Sequence, residues 1–167
     1  MPFIGQQLKR DHMLSFIFLG NIGIKPFTTA IIRKLTYKGA LQASFITIIL
    51  SSLMLSLMTP SLGIWIMLLA FLSGVGRSLA LTSFNGLNLS EVAPKERNSA
   101  NTLNAVIQTL AQGIGISAIS VALHFLNLSF SLDASYRIGF IILGIVILYP
   151  IIETSRISKN LGMNTVS

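Results

Sequence analysis

Five long apolar runs divide this chain, and each is bounded by short polar or charged stretches. The runs cover residues 13–32, 39–58, 62–84, 103–126 and 134–152. A helix needs about 20 residues to cross roughly 30 Å of hydrocarbon, so each run is long enough to span a bilayer. The strands of a membrane β-barrel would be about 10 residues long and would alternate strictly, which these runs do not. The pattern predicts an all-α polytopic membrane protein with five spans, called segments A to E in chain order.

Segments C and D carry polar residues at helical spacing. Four amides along segment D and the residues just before it step by three, four and four residues, which is one face of a helix: Asn101, Asn104, Gln108 and Gln112. A second set falls near one face of segment C and the residues just after it: Ser73, Arg77, Asn85 and Asn88. A polar stripe on a spanning helix is costly unless it faces protein or water. The two helices are therefore expected to line a polar path, or else to be held together by their amides.

Arg77 puts a charge about two-thirds of the way along segment C. Its guanidinium stays charged and must find water, a carboxylate or backbone carbonyls. It either faces a water-filled path, where it meets a substrate or a carboxylate on another helix, or it has a packing role against carbonyls of neighbouring helices. The five acidic residues all lie in loops or at span ends, which leaves no spanning carboxylate as a proton relay: Asp11, Glu91, Glu96, Asp133 and Glu153.

Segment A carries an intramembrane charge of its own. Asn21 and Lys25 lie four residues apart on one face. Pro26 follows and should kink the helix, because it lacks a backbone N–H. A lysine at the centre of a span costs about 2.5–3.5 kcal/mol on insertion scales. Lys25 therefore either faces the bundle interior or snorkels to the nearby end of the span.

Segments B and E carry neither charged side chains at mid-span nor a stripe of amides. The polar residues of segment B are hydroxyls that can bond their own helix backbone, and segment E is apolar from residue 140 to 152. We therefore expect B and E to face lipid, and A, C and D to form the interior. Small residues four apart also predict close helix approach in two places. They are Ala70, Gly74 and Ser78 in segment C, and Gly113 and Ser117, or Ala111 and Gly115, in segment D.

Composition agrees with a membrane protein. Of the 167 residues, 52% are hydrophobic and only 10% are charged, and the mean hydropathy is +0.75. A soluble domain carries roughly 25% charged residues. The net charge of +7 could indicate nucleic-acid binding. However, the basic residues lie at the ends of apolar runs and form no dense patch, so lipid and not nucleic acid is the expected partner.

The basic residues also predict the orientation of the helices. One side of the membrane would hold seven of them: Arg33, Lys34, Lys38, Lys95, Arg97, Arg156 and Lys159. The other side would hold three: Lys9, Arg10 and Arg137. The positive-inside rule places the first set in the cytoplasm. Residues 1–12 then form an outer-side segment and residues 153–167 a cytoplasmic tail, and an outer, basic N-terminus suggests that at least one further helix precedes this chain.

Motifs that carry catalysis do not occur in the sequence. There is no Gly-rich phosphate loop after a strand, no Cys/His metal spacing and no HExxH. Cys is absent altogether, which excludes disulfides. We therefore expect no metal and no cofactor, and an intramembrane enzyme is disfavoured.

Segments A, C and D carry charged side chains at mid-span or a stripe of amides, whereas B and E do not. This order of spans resembles the last five helices of a major facilitator superfamily transporter. In detail the chain resembles the fourteen-helix drug:proton antiporters of bacteria. The stretch GNIGIKPFTTAIIRKLTYKGAL, residues 20–41, is similar to a helix of that family followed by a basic cytoplasmic turn. Residues 72–118 are similar to its late helix pair, joined by the proline-bearing loop VAPKER, residues 92–97. The acidic and glycine positions of the family's first-half loop are missing here, as are the first half itself and one helix of the second.

The resemblance implies a multi-pass secondary transporter of the cell inner membrane that exports drugs or small metabolites in exchange for protons. Its implied partners are lipid, a small-molecule substrate, protons and a missing N-terminal half. The implied path-lining residues are Asn21, Lys25, Arg77, Asn85, Asn104, Gln108 and Gln112. The implied cytoplasmic-loop residues are Arg33, Lys34, Lys38, Lys95 and Arg97. The alternative is a truncated remnant without transport activity, or a helper that docks onto other membrane helices.

Overall fold

The computed structural model describes residues 15–57 and 63–163. They form α1 over residues 15–23, α2 over Lys25–Leu57, α3 over Gly63–Ser90, α4 over Arg97–Ser129 and α5 over Leu132–Arg156. No strand occurs in this part of the chain, and α2 to α5 are each long and apolar enough to cross a membrane. The predicted all-α polytopic fold class is confirmed. The predicted outer segment, residues 1–12, and the turn between segments B and C, residues 59–61, lie outside the described residues.

Helix α2 joins two pieces at Thr36, whose φ of 66° and ψ of 167° are not helical. A β-branched residue rarely adopts a positive φ. The Thr36 hydroxyl accepts a hydrogen bond from the backbone N of Gly39 at 3.5 Å, as an N-cap side chain does. The break separates the end of predicted segment A from segment B. One residue thus makes the connection that the sequence pattern assigned to residues 33–38.

A second break lies at Ile24, between α1 and α2. Pro26 follows in the first turn of α2, where a missing backbone N–H costs no helical hydrogen bond. The backbone N of Phe27 bonds the carbonyl oxygen of Ile24 at 3.0 Å. The kink predicted from Pro26 therefore takes the form of a turn just ahead of the proline.

The centre of the bundle is α2, which packs against both α3 and α5. Its buried face carries four serines: Ser44, Ser51, Ser52 and Ser56. The hydroxyls of Ser44, Ser51 and Ser56 donate to carbonyls three or four residues earlier, at 2.6, 3.0 and 2.6 Å. Small side chains that satisfy themselves in this way let neighbouring helices approach closely. The expectation that segment B faces lipid is therefore wrong for this serine face.

Helices α1 and α3 cross at two glycines. A Cβ added to Gly20 would meet the carbonyl oxygen of Phe71, and one added to Gly74 would meet that of Ile17, both well inside van der Waals distance. Gly74 belongs to the small-residue stripe of segment C, whose members Ala70, Gly74 and Ser78 are all buried. The close helix approach predicted along this stripe is confirmed.

Helix α4 lies at the edge of the bundle. None of its residues is buried, and among helices α2 to α5 it contacts only α5 and, more sparsely, α3. A Cβ on Gly113 or Gly115 would meet nothing within 4 Å, so the small residues of segment D make no close helix contact with the described residues. The expectation that segment D is interior is not met within this part of the chain.

One end of the bundle brings together the α2 break, the end of α3 and the residues after α5. Tyr37 and Leu87 are buried in one hydrophobic cluster, and Met163 packs against it. Gly162, with φ of 77°, lies so close to Ser90 that an added Cβ would be 2.7 Å from the Ser90 hydroxyl oxygen. The three segments that the charge pattern places on one side of the membrane thus meet at one end of the molecule.

Candidate functional site

The amides of segments C and D meet at Asn85. Its side-chain oxygen Oδ1 accepts hydrogen bonds from Nδ2 of Asn104 at 2.9 Å and from Nε2 of Gln108 at 2.5 Å. Asn104 and Gln108 reach the same acceptor because they lie one helical turn apart on α4. These three half-buried side chains, called the amide cluster below, join α3 to α4. Few other contacts link the two helices.

Lys25 approaches α3 one turn before the amide cluster. Its Nζ donates a hydrogen bond to Oγ1 of Thr82 at 3.3 Å, and Thr82 lies three residues before Asn85. Asn21 contributes its backbone, since its carbonyl oxygen accepts a hydrogen bond from the Ser78 hydroxyl at 2.9 Å. Both predicted residues of segment A therefore contact α3, on the face where α1 and α3 cross.

Arg77 lies in a groove of about 310 Å³ between α2, α3 and α4, called the Arg77 groove below. The other lining residues are mostly apolar: Phe45, Ile48, Ala80, Leu81, Phe84 and Gln108. Arg77 is exposed, and no described residue accepts a hydrogen bond from its guanidinium. Gln108 belongs to both the groove and the amide cluster, so the two features are continuous.

Of the four amides along one face of α4, only the two in the middle bond a residue of α3. Asn104 and Gln108 bind Asn85, whereas Asn101 and Gln112 are exposed and hydrogen-bond to none of the residues that the structure describes. Helical spacing correctly placed the amides on one side of the helix. It could not show that only two of them meet a partner on α3.

The basic loop residues differ in their surroundings. Lys38 Nζ donates to the backbone carbonyls of Ser155 at 2.6 Å and Ile157 at 2.9 Å. Arg97 Nε donates to the carbonyl of Val92 at 3.3 Å, within its own loop. The other three are exposed: Arg33, Lys34 and Lys95. The Lys38 contact was missed from the sequence because its partners are backbone atoms 117 and 119 residues away.

The polar groups that the helices bring together are amides, hydroxyls and two cations. Within residues 15–57 and 63–163, no group of three His, Cys, Asp or Glu could hold a metal ion. The ion pair of Glu153 with Arg156, at 3.4 Å, lies on the exposed last turn of α5. Amides, hydroxyls and cations can bind polar or anionic molecules.

Comparison with known proteins gives distant relatives. The chain is 26% identical over 163 residues to "Putative multidrug resistance protein MdtD" of Klebsiella pneumoniae (strain 342), covering 92% of this chain and 34% of the relative. The protein of that name in Serratia proteamaculans (strain 568) is 20% identical over 159 residues, with shares of 91% and 33%. That of Shigella sonnei (strain Ss046) is 29% identical over 114 residues, with shares of 66% and 24%. No protein-family model and no solved structure matches the chain.

The chain spans about a third of the length of the Klebsiella and Serratia relatives, which match it over 91–92% of its extent. At 20–26% identity the longer matches indicate distant kinship with proteins named for multidrug resistance. They support a transporter of the major facilitator kind and do not distinguish one family within it.

Proposed function

We propose that this chain is part of a secondary active transporter that exports drugs or small metabolites across the cell inner membrane in exchange for protons. The observation that carries the proposal is the similarity to proteins named for multidrug resistance over 91–92% of the chain. Four long apolar helices support a multi-pass membrane protein. The implied mechanism is alternating access, in which two halves rock about a midplane site. This chain would supply most of one half.

The substrate path would follow the side of α3 that faces α4. The amide cluster and Arg77 lie along this side, Lys25 approaches it from α2, and Gln112 extends the stripe by one turn. Amides can donate and accept, so they can bind varied polar groups without a fixed charge. The same Asn85 bonds would also form if the amides only held α3 against α4, and water access therefore distinguishes the two roles.

Proton coupling would need a carboxylate from another part of the transporter. The acids that the structure describes lie in the α3–α4 loop or in the terminal turns of α5: Glu91, Glu96, Asp133 and Glu153. None of them is placed at mid-helix, where protons are carried through membrane transporters by buried acids. In the superfamily that the chain resembles, such acids lie outside the stretch present here.

A chimaera tests the proposal. The matching third of the Klebsiella pneumoniae relative is replaced by this chain, and the product is expressed in an efflux-deficient strain. We expect export of at least one compound that the intact relative exports, and we expect a protonophore to abolish it. The control is the relative with the same stretch deleted. A chimaera that reaches the membrane as a monodisperse protein but exports nothing, while the intact relative does, would refute the proposal.

A further inference from the structure

Arg77 lies near the middle of a membrane-spanning helix. It is fourteen residues from the first residue of α3 and thirteen from the last. At 1.5 Å per residue, each end is about 20 Å away. The apolar run that contains Arg77 ends at residue 84, about 10 Å further along the helix, so Arg77 lies within the apolar part of α3.

The residues that the structure describes provide no anionic partner for Arg77. None of them accepts a hydrogen bond from its guanidinium, and the acids among them lie at helix ends or in loops. An unpaired charge at the centre of a span is costly, so such residues face a water-filled or ligand-binding space. A guanidinium binds carboxylates in a bidentate fashion that neutral amides cannot reproduce.

The walls of the Arg77 groove are apolar. Phe45 and Phe84 contribute rings, and Ile48, Ala80 and Leu81 contribute aliphatic surface. A volume of about 310 Å³ is at the lower limit for small-molecule sites, which suits a compound of one or two rings. The groove therefore combines a mostly apolar lining with one cation, Arg77.

We propose that the Arg77 groove binds a small aromatic anion, with its carboxylate or sulfonate on the Arg77 guanidinium and its rings against Phe45 and Phe84. The proposal rests on the proposed transport function insofar as it names the class of substrate. The competing occupant is a carboxylate from another part of a longer transporter. That occupant would be fixed in place, so it predicts no binding site for a free anion.

Two probes of equal shape test the proposal. The 167-residue chain is placed in phosphatidylcholine nanodiscs, and binding of 2-naphthoate and of neutral 2-naphthamide is measured by calorimetry against empty nanodiscs. We expect naphthoate to bind about tenfold more tightly than naphthamide, because only the anion forms charge-assisted hydrogen bonds. Arg77→Gln should remove this preference, whereas Arg137→Gln, which changes an exposed arginine near the start of α5, should leave it intact.

A second pair of variants keeps the arginine. Leu81 follows Arg77 by one helical turn and lines the same groove. Leu81→Glu places a carboxylate beside Arg77, and Leu81→Gln is its uncharged match. We expect Leu81→Glu to lose naphthoate binding at least tenfold relative to Leu81→Gln, with naphthamide binding equal in the two.

Equal binding of both probes by the unaltered chain, or equal naphthoate binding by the two Leu81 variants, would overturn the proposal. These outcomes are independent of transport. If the chain prefers naphthoate but the chimaera exports nothing, only the proposed function is contradicted. A transporting chimaera whose chain has no preference for naphthoate would contradict only this inference.

Discussion

Lys38 and Ser155 are joined across 117 residues of sequence by a hydrogen bond of 2.6 Å, from the lysine ammonium to the serine carbonyl oxygen. A second bond of 2.9 Å reaches the carbonyl of Ile157. Both acceptors lie at the end of α5, where carbonyls lack helical partners and the helix dipole is negative. The break at Thr36 brings Lys38 to this position. The contact ties the turn within α2 to the end of the last helix.

Removing the ammonium should therefore weaken the bundle. We expect Lys38→Met, which keeps most of the apolar stem, to lower the free energy of unfolding by about 1–2 kcal/mol. The measurement is denaturant unfolding in detergent micelles followed by circular dichroism. Lys34→Met is the matched control, because Lys34 is exposed and should change stability little. Equal midpoints for the two variants would show that the Lys38 contact contributes nothing.

The glycine crossing of α1 and α3 should tolerate no added atom. We expect Gly74→Ala to destabilise the chain by about 1–3 kcal/mol, because its methyl group would meet the backbone of Ile17. Gly113→Ala on α4 is the control. Its methyl group meets nothing within 4 Å, and alanine is the better helix former, so its stability should stay the same or rise by up to about 1 kcal/mol. The same unfolding experiment compares the two, and the reverse order of stabilities would contradict the observed packing.

Access of water to the amide cluster distinguishes a transport path from amides that only hold the helices together. The chain has no native Cys, so single cysteines can be placed on a clean background. In the chimaera, we expect cysteines at Arg77, Asn85 and Gln108 to react with a small water-soluble thiol reagent. A cysteine at Ile145, exposed on the apolar helix α5 and expected to face lipid, should stay unreactive. If the four positions react alike, the amides only hold the helices together.

Orientation in the membrane is predicted by the basic residues. Seven of the ten Lys and Arg counted in loops, tails and span ends belong to segments assigned to one side, so we expect a reporter fused after Asn160 to register the cytoplasm. A reporter inserted in the turn at residues 59–61 should register the outside. The opposite pair of signals would reverse the assignment, although the meeting of Tyr37, Leu87 and Gly162 at one end of the bundle would be unaffected.

The amide cluster is the part of the candidate site that could be predicted in part from the sequence. The spacing of Asn104 and Gln108 was enough to place them on one face, because helical period is a local property. Spacing could not select Asn85 as their partner, nor show that Gln112 bonds none of the residues that the structure describes. That choice depends on where α3 and α4 approach each other, which is set by packing of the rest of the bundle.

The protein class and the helical architecture could be predicted from the apolar runs of the sequence. The length of an apolar run and the thickness of a bilayer can be compared directly, and hydrocarbon permits few alternatives to a helix. Which helices are central could not be predicted, because it depends on how they pack against one another. Segment B is central because its small serines satisfy their own hydroxyls and permit close contact, while α4, rich in amides, lies at the edge. The contacts that set this arrangement, Gly74 with Ile17 and Lys38 with Ser155, are made to backbone carbonyls. Every residue has such a carbonyl, so no side-chain pattern in the sequence identifies the partner.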